Sequence, residues 1–376
     1  MFVKIEHIND VLPHISFDDG FAVRERQDFT VVDYAFTNDD TFSNAHQLEC
    51  RGLKFAPDGR ILARPLHKFF NLGEREQPHQ MDWGQPHIVV DKLDGSMIHP
   101  CMVDGEMVFM TRGGISEQAE SALAHASAEA MALCRDVMEM GATPCFEFTG
   151  PDNRIIILYP DTRLTLLAVR DMVTGAYWPR KRVIELAGKH GVPLPRTYEP
   201  VTDVTRFLKQ VQALRNEEGR IIIFDNGHRV KVKAESYRLR HNVLAGLRFE
   251  KMLVGWIVDR ALDDIIALLP EKEVTYVRQY NDRLMASVTA RVREIEEVVA
   301  SGPKNDRKAL AGHIMKGLDK RLVPAAFKLA DGKPVHDGVM MLLKKAAMTQ
   351  TRLDRVRDLF DFDWQGEPFE TPKQEP

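Results

Sequence analysis

The sequence is poor in cysteine and has no long apolar run. Its cysteines, Cys50, Cys101, Cys134 and Cys145, form no CxxC pair, and no histidine cluster with zinc spacing accompanies them, so a structural zinc site is not expected. No stretch of about 18 apolar residues occurs, which excludes a spanning helix. The first residues also lack the apolar core of a signal peptide. We therefore expect a soluble protein of a reducing compartment, the cytoplasm.

Two further absences narrow the class of protein. No GxxxxGK[ST] string is present, which argues against a P-loop kinase or ATPase. A net charge of −4 gives no overall sign of nucleic-acid binding, although acidic residues elsewhere can balance a basic groove. The chain has 376 residues, of which 44% are hydrophobic, and this length suggests two folded domains.

The first two-thirds of the chain alternates short strands with helices. A DG pair at 104–105 and an NG pair at 226–227 separate strand-like runs, which is a strong hairpin signal. The runs CFEFTG and RIIILYP predict buried strands, and LTLLAVRDMVTGAYW predicts another hairpin. One helix is expected from an N-cap at Ser116 to Gly141, and another over PRKRVIELAGKH, closed by Gly191.

Beyond about residue 245 the pattern changes. Apolar residues recur at spacings of three and four, as on one face of a helix, and strand-like alternation is nearly absent. The stripe includes Val274, Val277, Leu284, Val288, Val292, Ile295 and Val299. We predict an α+β domain with antiparallel sheets over residues 1–245 and an all-α domain over residues 246–376. The acidic, proline-containing segment 361–376 is expected to fray.

The segment KLDGS, which begins at Lys92, follows an apolar strand. A lysine forms a bond to phosphorus only when its amine is unprotonated, and burial near other cations lowers the amine's pKa. Gly95 lets the backbone turn closely against a ligand. The pattern is weak by itself, because KxDG occurs by chance in roughly one chain in ten of this length. An exposed turn lysine is the alternative interpretation.

Features on both sides of this segment point to a bound nucleotide. Upstream, Arg51 lies in LECRGLKF and Lys68 precedes two phenylalanines in RPLHKFFNLGE. Guanidinium and ammonium groups suit a triphosphate, and Phe70 or a neighbour can stack on a purine. Downstream, Glu147 lies between two phenylalanines in CFEFTGP, so it points away from them, towards a ribose or a metal. A solvent-facing strand residue is the alternative interpretation of Glu147.

The last predicted hairpin carries the remaining polar groups. Glu218 and Gly219 open one strand, and Lys231 and Lys233 lie on the returning strand. The two-residue period of a strand puts both lysines on one face, with Val232 turned into the core. Two adjacent lysines repel each other, so an anion between them is expected. A solvated edge strand is the alternative.

In this order the features resemble the covalent nucleotidyltransferases, which include DNA ligases, RNA ligases and mRNA capping enzymes. The longer strings LECRG, RPLHKFFNLGE, KLDGS, FEFTGPDNRIIILYP and KVKAESYRLRH closely resemble the bacteriophage RNA ligase 1 family, whose members repair broken tRNA. The similarity runs from about residue 48 to residue 241. It implies an ATP-grasp-like nucleotidyltransferase fold for residues 1–245 and a helical domain, 246–376, that selects the RNA substrate.

The resemblance implies a three-step reaction. Lys92 attacks the ATP α-phosphate, the AMP passes to an RNA 5′-phosphate, and a 3′-hydroxyl displaces AMP to seal the strand. Glu147 would hold the ribose or a metal-bound water, and Glu218 would help hold Mg²⁺, for which Mn²⁺ is an alternative. Lys231 and Lys233 would bind the α-phosphate and stabilise its charge.

Other positions take supporting roles by the same resemblance. Arg51 and Lys68 would contact phosphates, Phe70 would pack near the adenine, and Asp94 would position the lysine loop. Arg112 stands where the family pattern has a lysine, which keeps the charge but changes the geometry.

Three further residues have two interpretations each. Tyr237 would touch the nucleotide or simply pack in the core. Asp263 and Asp264 resemble an acidic pair that reaches metal-bound water, but paired acids at the start of a helix are also typical helix-dipole partners.

Rival functions make different predictions about the C-terminal region. A DNA ligase or a capping enzyme usually carries a β-barrel there, whereas this sequence predicts helices. A non-catalytic RNA-binding module would not need the complete set of polar groups. The small excess of Lys and Arg over residues 246–360 suits docking on structured RNA, and is equally compatible with a solvated helical bundle.

Several expectations about partners follow from the resemblance. The substrate would be RNA with single-stranded ends, such as broken tRNA, and a polynucleotide kinase/phosphatase would heal those ends. No membrane partner is expected, the protein would be a monomer, and the cytoplasm of a phage-infected bacterium is one setting that fits.

Overall fold

The structure, a computed structural model, describes residues 2–38, 40–360 and 363–364. It divides into two compact units, Met1–Arg238 and Leu239–Glu370. The fraying expected for residues 361–376 concerns a segment that lies outside the described residues, apart from residues 363 and 364.

Within the described residues, the strands of the first unit form three sheets. In chain order they are β1 (Phe21–Glu25), β2 (Thr30–Tyr34), β3 (Arg51–Phe55), β4 (Ile61–Ala63), β5 (Phe70–Asn71), β6 (His87–Lys92), β7 (Ser96–Val103), β8 (Glu106–Met110), β9 (Ala142–Thr149), β10 (Arg163–Asp171), β11 (Thr197–Tyr198), β12 (Gly219–Phe224) and β13 (Arg229–Lys233).

The strand orders define the first, second and third sheets. The first is β1-β2-β3-β4, the second is β10-β9-β7-β8, and the third is β11-β6-β12-β13-β5. Neighbouring strands run antiparallel, with β13 and β5 as the parallel pair. The loop between β6 and β7 connects the third sheet to the second. The predicted antiparallel sheets are therefore confirmed.

The first unit also contains helices that pack on its sheets. They are α1 (Ala45–Glu49), α2 (Glu117–Ala124), α3 (Ala128–Glu139), α4 (Arg180–His190) and α5 (Val204–Gln212), and α6 (Glu235–Leu247) crosses the boundary between the units. The helices α2, α3 and α4 pack on strands of the second sheet, and α5 packs on β12 and β13. This packing leaves the other face of the third sheet available for polar side chains.

Two local predictions were wrong. The segment between Ser116 and Gly141 forms two helices, because Ser127 caps a new helix, α3, by accepting a hydrogen bond from the backbone N–H of Ala130. RIIILYP forms a loop instead of a strand. The backbone N–H groups of Ile156 and Ile157 donate to a side-chain carboxylate, which replaces the partners that a sheet would supply.

The second unit is helical, and no strand occurs in its described residues. Its helices are α7 (Glu250–Val258), α8 (Leu262–Ile266), α9 (Glu271–Ser301), α10 (Arg307–Gly317), α11 (Val323–Ala330), α12 (Val335–Ala346), α13 (Gln350–Asp354) and α14 (Arg357–Phe360). The predicted stripe of α9 lies in the unit's core, where Val277, Leu284, Val288 and Ile295 are fully buried. None of the helices in the described ranges combines the length and apolar character that a membrane crossing demands.

Candidate active site

The third sheet brings the KxDG, EG and KxK segments together. β6 ends at Lys92, and Gly219 of β12 pairs with Lys92 on one side and with Lys233 on the other. Paired positions present their side chains to the same face of a sheet, and the strand period adds Lys231 to that face. Val232 lies on the opposite face, in the buried core. One face of the sheet therefore carries three lysines.

Glu218 connects two of these lysines. Its Oε2 accepts a hydrogen bond from Lys92 Nζ at 2.6 Å, and its Oε1 lies 2.9 Å from Lys233 Nζ. The glutamate side chain is 4% exposed, so its charge is largely shielded from solvent. A buried carboxylate needs such partners, because an unpaired buried charge is strongly destabilising.

The pKa of Lys92 is raised, contrary to the expectation from sequence. Burial acts to lower this pKa, but the negative charges of Glu218, Glu147 and Asp94 act in the opposite direction and prevail. From the sequence, we expect burial and neighbouring cations to lower the pKa of Lys92. In the structure the carboxylates surround Lys92, so its amine is protonated in the ligand-free protein.

On the same face of the sheet, Lys231 has a lowered pKa. Burial, together with the charges of Lys92, Lys68 and Arg51, lowers the pKa of Lys231 to about 7. Its Nζ lies 5.6 Å from the centre of the Phe69 ring. A group that is half-protonated near neutral pH gains its full charge when an anion binds beside it. Lys231 is thus suited to bind phosphate.

Glu147 lies on β9 of the second sheet, next to the lysine loop. Its Oε1 accepts a hydrogen bond from the backbone N–H of Gly95 at 3.1 Å. Burial raises the pKa of Glu147 to about 7, against the lowering effect of Lys92. The flanking Phe146 and Phe148 are both buried, as the spacing predicts. A Cβ at Gly95 would lie 2.2 Å from the Phe148 carbonyl oxygen, so this close approach requires glycine.

Asp94 fastens the lysine loop to two other segments. Its Oδ2 accepts hydrogen bonds from the N–H groups of Ile156 and Ile157 at 2.8 and 2.7 Å, and its Oδ1 accepts one from the Tyr237 hydroxyl at 2.7 Å. The Tyr237 ring lies 5.0 Å from Lys233 Nζ. Tyr237 therefore supports both the loop and the KxK strand, and the carboxylate of Asp94 is occupied by these bonds.

A second group of cations lies beside an aromatic cluster. Lys68 Nζ is 5.0, 4.9 and 5.4 Å from the ring centres of Tyr34, Phe42 and Phe70. Burial lowers the pKa of Lys68, and the nearby charge of Arg51 lowers it further. Within the described residues, no carboxylate lies within 4.0 Å of the Lys68 amine. The structure thus places Arg51, Lys68 and Phe70 in one neighbourhood with Lys231.

Arg112 and its turn are held by two residues that the sequence does not single out, Asp33 and Lys54. Its Nη1 donates to Asp33 Oδ1 at 3.2 Å, and its guanidinium lies 4.1 Å from the Tyr34 ring centre. Lys54, which is fully buried, donates to the carbonyl oxygens of Gly52 at 2.7 Å and Arg112 at 3.0 Å. Lys54 therefore fixes the Arg112 turn against the strand that carries Arg51. In the sequence it stands in the apolar run GLKF and gives no sign of this role.

A buried ion cluster supports the same region. Glu49 accepts hydrogen bonds from Arg64 Nε at 3.1 Å and from Arg170 Nη1 and Nη2 at 2.9 and 3.0 Å. Both arginine side chains are fully buried. The cluster joins Glu49, two positions before Arg51, to β10 and to the residue that follows β4. No local sequence pattern reveals this cluster, because its members are far apart in the chain.

Asp263 and Asp264 lie in the second unit. They are exposed and occupy the first turn of α8, where negative charge favours a helix. Among the described residues, no group of three or more His, Cys, Asp or Glu side chains is arranged to hold a metal ion. The assignment of these aspartates to metal-bound water remains a prediction.

Comparisons with known proteins agree on the family. A family model described as RNA ligase matches residues 49–237. A candidate RNA ligase of Thermovibrio ammonificans is 30% identical over 280 residues, which cover 71% of this chain and 73% of that protein. RNA ligase 1 of bacteriophage TS2126 is 27% identical over 275 residues, covering 68% and 67% of the two chains. A solved archaeal ATP-dependent RNA ligase is 16% identical, with coverage of 80% and 84% and a TM-score of 0.46.

Antiparallel sheets that present the KxDG lysine, followed by a helical unit, are the arrangement that the resemblance to ligases implies. The family match spans half of this chain and includes every proposed site residue of the first unit. The chain belongs to the RNA ligase family, of the bacteriophage RNA ligase 1 type. The resemblance noted in the sequence is therefore confirmed.

Proposed function

We propose that this protein is an ATP-dependent RNA ligase that joins 5′-phosphate and 3′-hydroxyl RNA ends through a lysyl–AMP intermediate on Lys92. The observation that carries the proposal is the position of Glu218 between Lys92 and Lys233 on the face that also presents Lys231. A nucleophilic amine, a carboxylate that can accept its proton, and cations for a phosphate lie together. RNA as the substrate is supported by the family.

In the first step, the nitrogen lone pair of Lys92 forms a bond to the α-phosphorus of ATP. The bond between that phosphorus and the bridging oxygen of pyrophosphate breaks, and pyrophosphate leaves with the electron pair. Glu218 is the nearest acceptor for the lysine proton, at 2.6 Å. Lys231 and Lys233 stabilise the charge on the non-bridging oxygens, which is the main protein contribution to phosphoryl transfer.

The cations around Lys68 would receive the rest of the triphosphate. Arg51 and Lys68 lie close enough to Lys231 to lower its pKa, so a chain of phosphates can reach all three. Their mutual repulsion is relieved when a polyanion binds. Arg112 would extend the group, with Lys54 holding its turn.

A divalent ion fits the donor chemistry of Glu147 and Glu218. Their carboxylate oxygens are hard ligands, and Mg²⁺ is usually bound by one or two carboxylates together with substrate phosphates and water. Mn²⁺ accepts the same ligands. When bound, the ion would supply positive charge that lowers the pKa of the Lys92 amine and stabilises the leaving pyrophosphate.

The second and third steps would use the same lysines. An oxygen of the RNA 5′-phosphate bonds to the phosphorus of the AMP, and the bond to Lys92 Nζ breaks. A 3′-hydroxyl oxygen then bonds to the 5′-phosphate of the RNA-adenylate, and AMP leaves. Lys231 and Lys233 would hold the phosphates in both steps. These steps require a 5′-phosphate and a 3′-hydroxyl, so we also propose that a polynucleotide kinase/phosphatase heals broken tRNA before sealing.

The proposal is tested by incubating the purified protein with α-³²P-labelled ATP and Mg²⁺. Wild type should retain label after denaturation, and Lys92→Ala should retain none. Lys189→Ala is a matched control, because Lys189 is an exposed lysine that pairs with Asp136. The labelled wild type should then seal a 5′-phosphorylated RNA. Label on Lys92→Ala equal to that on wild type would overturn the proposal.

A further inference from the structure

A shallow cleft in the second unit is rich in positive charge. Its volume is about 580 Å³, and Leu342, Ala346 and Val356 contribute apolar surface to it. Four cationic side chains line it and are exposed: Lys320, Lys345, Arg352 and Arg355. We refer to these four residues as the basic cleft. They come from the turn before α11, from α12, and from α13 and its C-terminal end.

The basic cleft is also lined by the carboxylate of Asp319, but this carboxylate pairs with Arg321 and with none of the four cations. Within the described part of the chain, no carboxylate lies within 4.0 Å of any of the four. Arg321, which also borders the cleft, differs because its guanidinium is bound to Asp319 and Asp358 at 2.7 to 2.8 Å. The neighbour of Lys345 on α12, Lys344, pairs with Asp259 at 2.7 Å. The cleft therefore brings together four positive side chains that make no ion pair within the described part of the chain.

The backbone that carries these cations is fixed. Arg321 donates to the carbonyl oxygen of Arg355, which ties the turn before α11 to the end of α13. Leu353 and Val356, on either side of Arg355, are buried in the core of the unit. The backbone positions of the four cations are therefore set before a ligand binds, and only their side chains lose freedom when an anion binds.

We propose that the basic cleft binds the phosphodiester backbone of a base-paired RNA segment. Uncompensated Lys and Arg side chains are the usual contacts of nucleic-acid phosphates. Among the described residues, no aromatic side chain lines the cleft to offer a stacking surface for unpaired bases. Double-stranded RNA is instead recognised through its backbone and shape. The inference rests on the proposed function, since it assumes that RNA is the substrate.

The experiment uses the full-length protein with Lys320→Gln, Lys345→Gln, Arg352→Gln and Arg355→Gln combined. Its binding to a fluorescein-labelled RNA hairpin and to an unstructured RNA of equal length is measured by anisotropy at several salt concentrations. Hairpin affinity should fall at least about tenfold, and the slope of log K against log salt should flatten by about 0.7 to 0.9 for each lost phosphate contact. Affinity for the unstructured RNA should change much less.

Lys344→Gln is the matched control, because it removes a lysine from the adjacent position of α12 whose charge is already compensated. It should bind the hairpin as wild type does. Wild-type affinity and salt slope in the four-fold variant would overturn the inference. Equal losses for the hairpin and the unstructured RNA would overturn the assignment to base-paired RNA. The labelling of wild-type Lys92 by ATP is measured in a separate assay. If Lys92 is not labelled, the proposed function is contradicted, whereas RNA binding by the basic cleft is tested by the anisotropy measurement alone.

Discussion

The Nζ atom of Lys92 lies 2.6 Å from Oε2 of Glu218, and the other oxygen of this carboxylate lies 2.9 Å from Nζ of Lys233. One buried carboxylate thus holds the proposed nucleophile and one of the proposed phosphate ligands. Because the pair with Glu218 favours the ammonium form, Lys92 cannot attack ATP until this carboxylate is neutralised or takes its proton. The resting site is therefore stable but unreactive.

Removal of the Glu218 charge should lower the pKa of Lys92. Burial lowers this pKa and the carboxylates raise it, so burial prevails once the nearest carboxylate is lost. In metal-free Glu218→Gln, the midpoint for labelling of Lys92 by an amine-reactive reagent should therefore move to lower pH than in wild type. Peptide mass spectrometry across a pH series measures the midpoint.

The control for this shift is Glu217→Gln. Glu217 is adjacent in the chain, but its carboxylate pairs with Arg220 at 2.6 Å, so the Lys92 midpoint should stay where it is in wild type. An unchanged midpoint in Glu218→Gln would show that Glu218 does not control the protonation of Lys92.

Affinity for the triphosphate should depend on pH through Lys231. The pKa of Lys231 is lowered to about 7 by burial and by neighbouring cations, so its charge is present below pH 7 and is lost as the pH rises. A bound phosphate should return the pKa of Lys231 to its ordinary value. The Kd for α,β-methylene-ATP should then rise about tenfold between pH 6 and pH 8. Titration calorimetry measures it.

Lys231→Arg provides the comparison, because a guanidinium keeps its charge over this range. Its Kd should vary with pH much less than that of wild type. The same steep dependence in both proteins would mean that another group titrates.

The sequence predicts the lysine face of the third sheet well, because strand periodicity and the EG and KxK spacings are local signals. Gly219 pairs with Lys233 in the register that the hairpin at 226–227 sets, whereas its pairing with Lys92 is a long-range contact. The helical second unit is also predicted, since the stripe of α9 needs no long-range information.

The sequence does not predict contacts between distant segments. The carboxylate of Asp94 binds the N–H groups of Ile156 and Ile157, and this long-range bond turned an apparent strand into a loop. The sign of the Lys92 pKa shift was missed for the same reason. The sign of this pKa shift depends on Glu218, which is 126 positions from Lys92 in the sequence. Only the folded structure brings the two side chains together.

Breaking the ion cluster of Glu49 should be strongly destabilising, because it leaves buried charges without a partner. Removing one partner of a buried ion pair costs about 3–5 kcal/mol, so Glu49→Gln should lower the free energy of unfolding by about that amount at pH 7. Burial raises the pKa of Glu49, but Arg170 and Arg64 outweigh it and hold the pKa at about 2. This contribution is present above the unfolded pKa of 4.5 and is lost as the pH falls towards 2.

Urea unfolding at pH 7 and at pH 3.5 measures both effects. The difference between wild type and Glu49→Gln should shrink at the lower pH. Glu106→Gln, at an exposed position of β8, should unfold as wild type does. A Glu49→Gln protein of wild-type stability at pH 7 would contradict the importance of the cluster.

Lys54 should affect both ATP binding and the pH dependence of stability. Lys54→Met keeps the length of the side chain but removes the donor for the carbonyl oxygens of Gly52 and Arg112. The Arg112 turn should then lose its position, and the KM for ATP in lysyl–AMP formation should rise several-fold with a smaller change in kcat. Lys4→Met, at an exposed position, should leave both parameters unchanged.

The stability of Lys54→Met supplies a second, independent measurement. Burial lowers the pKa of Lys54 to about 8, although the charge of Asp33 opposes this. Between pH 8 and the unfolded value of 10.5, the unfolded chain binds the proton that the folded chain has released, so the wild type gains stability as the pH rises. Relative to Lys54→Met, the gain should be about 1.4 kcal/mol per pH unit at most. A difference in unfolding free energy that stays constant from pH 7 to pH 10 would show that Lys54 keeps an ordinary pKa.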